Sequence, residues 1–153
     1  FLIMSLIYNI ALTLIKSVGD VIAKKLLDHF GTSEAVFKAR KWELMEIQGI
    51  GEAIAAEILN HKAALEAAEK QLAFIKKHKI QVFFYTDDNY PRRLKNCNDA
   101  PVVLYYKGTA DLNHPRIISI VGTRRATEYG RKLCRELAET RSSYNVIIVI
   151  GMA

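Results

Sequence analysis

Apolar residues recur at helical spacing from Met4 to about Lys79, broken by short polar or glycine-containing steps. This pattern predicts a run of short amphipathic helices over 4–79, the last from about Ala63 to His78. Beyond it the period changes. Ile80 to Tyr85 and Pro101 to Tyr106 read as strands, separated by the turn-rich Thr86-Asp87-Asp88-Asn89-Tyr90-Pro91. Two continuous apolar runs, 117–121 and Val146-Ile147-Ile148-Val149-Ile150, read as strands buried on both faces of a parallel sheet. Between them Thr127-Glu128 resembles a helix start, and Leu133, Cys134, Leu137 and Ala138 share one face of a helix reaching about Ser142. Strand, helix and strand in that order predict a right-handed crossover unit. Trp42, near a helix start, is expected to be a partly buried staple.

The candidate chemistry lies where the first apolar run stops. Gly122-Thr123-Arg124-Arg125 joins that strand to the helix, so backbone N–H groups, a helix start and two fixed cations meet at one point, as an anionic phosphate requires. The chain has neither a G-x-G-x-x-G fingerprint nor a Gly-Lys-Ser/Thr step. An arginine pair suits planar, bidentate phosphate contacts. The competing reading of Arg124 and Arg125 is a solvated turn.

Charge sharpens the choice. Residues 1–90 carry eleven Lys and Arg against eleven Asp and Glu, whereas residues 91–153 carry eleven against five, the whole net charge of +6. That distribution is the footprint expected of a polyanion site on the second half, against the competing reading of a solvated basic surface, and its coincidence with the Gly-Thr-Arg-Arg turn favours nucleic acid. Half of the residues are hydrophobic, enough for a real core. Cys97 and Cys134 have no metal-ligand spacing, and their scarcity suggests a reducing, cytoplasmic setting. His29, His61, His78 and His114 are scattered, so no metal and no cofactor is expected. The apolar opening stretch is interrupted by Ser5, Asn9 and Thr13, too polar for a membrane span or a signal peptide.

Two twelve-residue segments repeat a pattern. Ile15-Lys16-Ser17-Val18-Gly19-Asp20 leads into one helix, and Ile47-Gln48-Gly49-Ile50-Gly51-Glu52 into another. Both resemble helix-hairpin-helix repeats, whose backbone N–H groups at Gly19, Gly49 and Gly51 are candidate DNA-phosphate donors. Ser17 stands where the pattern prefers glycine. Asp20 and Glu52 follow the hairpins directly and the segment carries no net charge, so a structural or protein-contact role competes with the DNA role.

The order of these parts resembles one family. Tandem hairpins come first, then Tyr90-Pro91 with Leu94. Ala100-Pro101-Val102-Val103-Leu104-Tyr105 with Lys107-Gly108 comes next, and Val121-Gly122-Thr123-Arg124-Arg125 with Tyr129-Gly130 follows. Together they resemble the N-terminal portion of the bacterial DNA-processing protein A family (DprA/Smf). The resemblance implies a cytoplasmic, non-enzymatic mediator that binds single-stranded DNA and loads the RecA recombinase in natural transformation, typically as a homodimer, with no membrane partner. It implies phosphate binding by Arg124, a pocket shaped by Gly122 and Thr123, and a lesser part for Arg125. Ile150 departs from the family by standing where a serine is usual, which removes a hydroxyl from the site.

The expected fold class is α + α/β. Residues 1–79 would form a tandem helix-hairpin-helix (SAM-like) domain. Residues 80–153 would form a joint and the first βαβ portion of a truncated Rossmann-like domain, because an open sheet of that kind needs further strands. The chain is accordingly expected to be a fragment of a longer protein. Two other functions compete: a nucleotide-binding enzyme of the lysine-decarboxylase-like phosphoribohydrolase group, whose later Pro-Gly-Gly-x-Gly-Thr run the chain lacks, and a protein-docking module without DNA binding.

Overall fold

The computed structural model describes residues 2–122, 125–142 and 144–151. They form two compact units, Phe1–Gly108 and Thr109–Ala153.

The first unit begins with six helices: α1 (Leu2–Leu14), α2 (Asp20–Phe30), α3 (Ser33–Lys38), α4 (Lys41–Met45), α5 (Glu52–Leu59) and α6 (Lys62–His78). The helical periodicity read from the sequence is therefore realised over 4–79. Gly31 closes α2 at φ 79°, a left-handed backbone that favours glycine, and donates its N–H to Leu27 at 2.7 Å. Thr32 caps α3 by accepting the Ala35 N–H at 3.2 Å. Helix α1 packs against α3 and α6, and α2 packs against α3. Ile10, Leu12, Leu26, Val36, Leu44 and Ile58 are fully buried between them. Truncating any of these leucines or isoleucines to alanine is expected to cost about 2–5 kcal/mol on general grounds.

Two strands and a helical turn complete this unit. β1 (Gln81–Phe84) pairs antiparallel with β2 (Val103–Tyr106), Val82 opposite Tyr105, and α7 (Arg92–Lys95) lies between them in sequence. Phe84, Val102 and Val103 join the helical core. Helix α6 ends at His78, whereas the packing boundary falls after β2, because the paired strands β1 and β2 bury their apolar side on the helices.

The second unit contains β3 (Ile117–Ile120), α8 (Glu128–Ser142) and β4 (Ile147–Ile150). β3 and β4 pair in parallel, Ile120 opposite Ile150, as the apolar runs predict. The expected burial on both faces is not found. None of residues 109–122, 125–140 and 144–151 is buried, and Val121 and Ile150 are 90% and 64% exposed. Two strands and one helix offer too little surface to cover both faces of a sheet. Trp42 also departs from expectation: it is 55% exposed, because α4 is a single turn lying at the surface.

Candidate nucleic-acid interface

Parallel pairing brings the ends of β3 and β4 side by side, and the loop from β3 to α8 rises from that end. Arg116 braces the opposite end. Its guanidinium donates to the Tyr144 carbonyl at 3.1 Å, and its carbonyl accepts the Ile147 N–H at 3.0 Å. Gly122 is exposed, and a Cβ added there would meet nothing within 4 Å. The glycine therefore leaves the backbone open to approach rather than relieving a packing clash.

Thr123 and Arg124 lie outside the described residues. Arg125 is exposed at the far side of the turn. Thr127 caps α8 as the sequence predicts: its hydroxyl accepts the Gly130 N–H at 3.1 Å, and its carbonyl accepts the Arg131 N–H at 3.0 Å. The Arg131 guanidinium then folds back to donate to the Ala126 carbonyl at 2.9 Å, tying the turn to the first part of the helix.

These residues border an open cleft of about 570 Å³, lined by Val121, Gly122, Arg125, Thr127, Arg131 and Arg135 among others. Its described lining includes three arginines and no acidic residue, and is otherwise mostly apolar, with Val121, Ala126, Leu133 and Cys134. The structure thus brings together Gly122 and Arg125 from the sequence prediction and adds Arg131 and Arg135. The signal for these two was present: Thr127, Arg131 and Arg135 recur every four residues, which places them on one helix face.

The hairpin glycines lie in the other unit. Gly19 and Gly51 are the residues before α2 and α5, both in extended backbone at φ −81° and −91°. The repeats match bond for bond. Val18 N–H donates to Ile15 and Ile50 N–H to Ile47, each at 3.0 Å; Ala23 donates to Gly19 at 2.9 Å and Ala55 to Gly51 at 3.0 Å. They differ at the tip. Gly49 has φ 98°, whereas Ser17 is not among the described non-glycine residues of positive φ, so serine costs nothing in the first copy. Glu52 pairs with Lys41 at 2.5 Å, and the hydrogen bond and charge of that ammonium hold its carboxyl below the usual range.

No described helix is long and apolar enough to cross a membrane, and no three His, Cys, Asp or Glu side chains gather among the described residues as a metal site would require.

Paired hairpin repeats followed by a parallel strand–helix–strand unit define an α+β protein of the helix-hairpin-helix class. Comparison agrees. Residues 10–69 match the helix-hairpin-helix motif, and residues 81–153 match the family described as DNA recombination-mediator protein A. Protein Smf of Synechocystis is 32% identical over 95% of this chain and 37% of its own length. The DNA processing proteins DprA of Streptococcus pneumoniae and Bacillus subtilis are each 35% identical, over 49% and 54% of this chain and 26% and 28% of theirs. The chain is thus similar to the DprA/Smf proteins, and it spans little more than a third of the length of the longest-matched of these relatives.

Proposed function

We propose that this chain belongs to a single-stranded DNA-binding recombination mediator that loads RecA during natural transformation, and that the DNA backbone is held at the turn after β3. The cleft carries this reading: an exposed glycine backbone, a capped helix start and three arginines border one opening with no described carboxylate. Such a surface attracts phosphate without reading bases. Gly122, Thr123, Arg124 and Arg125 make the primary contact, with Arg131 holding the turn. The similarity to the DprA/Smf proteins supplies the biological setting, and with it a cytoplasmic, non-enzymatic role and a homodimeric full-length protein.

The same reading assigns residues 1–79 to the hairpin domain and 80–153 to a joint and the opening of a Rossmann-like domain. The parallel pairing of β3 with β4 supports the second assignment. The breaks of the family matches, at residues 69 and 81, support the boundary.

The test is fluorescence anisotropy of labelled oligo-dT with the natural full-length protein across a salt series. Arg124→Ala is expected to weaken binding and to lower the slope of log K against log salt by about 0.7 for each phosphate it no longer neutralises. Unchanged affinity and slope would move the DNA site away from this turn. No binding by the unaltered protein would overturn the single-strand reading altogether.

A further inference from the structure

The two hairpins are tied together by a pair of reciprocal contacts. Aligning 15–26 with 47–58 places Lys25 and Glu57 at the same position of their repeats, and Ser17 opposite Gly49. Lys25 Nζ reaches the tip of the second hairpin and donates to the Gln48 carbonyl at 2.8 Å. Glu57 reaches the tip of the first, where its Oε2 accepts the Ser17 N–H at 3.1 Å. One geometry is used twice, with opposite charge.

That difference matters for any anion. A backbone N–H has one proton to give. At the first hairpin that proton already goes to a carboxylate, the acceptor closest in chemistry to a phosphate oxygen. A second carboxylate, Asp20, opens α2 beside it and is itself spent on the Val102 N–H at 2.8 Å. Lys16 and Glu57 border the same shallow depression, so the cation next to the tip is offset by the acid that occupies it. At the second hairpin the visiting group is an ammonium bonded to the Gln48 carbonyl, so it occupies an acceptor of the turn and none of its N–H donors.

We infer that Glu57 is a built-in occupant of the first hairpin, closing it to phosphate, so that the two repeats are alike in fold and unlike in binding. The first hairpin becomes a structural joint between α2, α5 and the strand-bearing segment. This inference does not rest on the single-strand reading, since it concerns a different unit and is tested with a different ligand.

The experiment is an amide NMR titration of the folded 153-residue chain with inorganic phosphate at constant ionic strength. In the unaltered chain the Ser17 resonance is expected to stay in place. In Glu57→Ala it is expected to shift saturably with phosphate. Glu57→Gln, which keeps the shape and a neutral acceptor, is expected to show a smaller saturable shift, and it replaces the alanine variant if that spectrum loses its dispersion. A Ser17 shift in the unaltered chain as large as in the variants would overturn the inference. So would the absence of a shift in the folded variants, because something other than Glu57 would then close the hairpin.

Discussion

The hydroxyl of Tyr90 donates to the carbonyl of Pro101 at 2.7 Å, joining the two ends of the segment between β1 and β2. Tyr90 is 1% exposed, its ring meets Tyr85 edge-on with centroids 5.7 Å apart, and Lys24 and Lys95 hold their ammonium groups over that second ring. Lys24 also donates to the Asn98 carbonyl at 2.9 Å. The Tyr-Pro and Ala-Pro-Val elements of the sequence are thus two sides of one packed joint.

Tyr90→Phe keeps the ring and removes the hydroxyl, leaving the Pro101 carbonyl without that donor. A loss of about 1–3 kcal/mol in urea unfolding is expected. A change within experimental error would show that the ring alone holds the joint.

The same side chain predicts an alkaline limb. Burial, followed by the nearby Asp20 carboxylate, pushes the Tyr90 hydroxyl from its ordinary 10.0 up to about 12. Between those values the unfolded chain releases the proton while the folded chain keeps it. This contribution to stability is therefore complete below about pH 10 and is lost as pH rises towards 12. Unfolding midpoints across that window should fall in the unaltered chain and fall less steeply in Tyr90→Phe.

Asp20 links the first hairpin's helix to the strand-bearing segment, because its carboxylate accepts the N–H of Val102, a residue with no exposed surface. Asp20→Ala leaves that buried donor unpaired and is expected to cost about 1–3 kcal/mol, with Asp20→Asn retaining much of it. Equal loss in both variants would point to charge rather than to the hydrogen bond.

Among the described residues β3 and β4 pair only with each other, which leaves each strand one edge without a described partner strand, and Val149 and Ile150 are 46% and 64% exposed. Such an edge pairs readily with another copy. Sedimentation velocity of the chain should show association that rises with concentration and is reduced by Val149→Lys. A monomer at all concentrations would mean that the edge is protected.

Much of this was legible along the chain. Helical periodicity marked the helices of residues 4–79, and the repeat of Gly19 and Gly51 before α2 and α5 marked the hairpins. The continuous apolar runs marked β3 and β4 as a parallel pair, and Thr127 was readable as the cap of α8. These features depend on local backbone preference and on the period of apolar positions, which sequence states directly.

Tertiary structure decided the rest, because it depends on which distant groups meet. Only the fold shows that Arg131 turns back to the Ala126 carbonyl while Arg135 follows it along the cleft. Only the fold shows that Asp20, read from sequence as an acid facing an incoming phosphate, is spent on Val102, far along the chain. Lys25 and Glu57 occupy matching places in two similar segments, and the sequence carries no sign that each crosses to the other's turn. A repeat states what two pieces have in common; the packing between them determines how they differ.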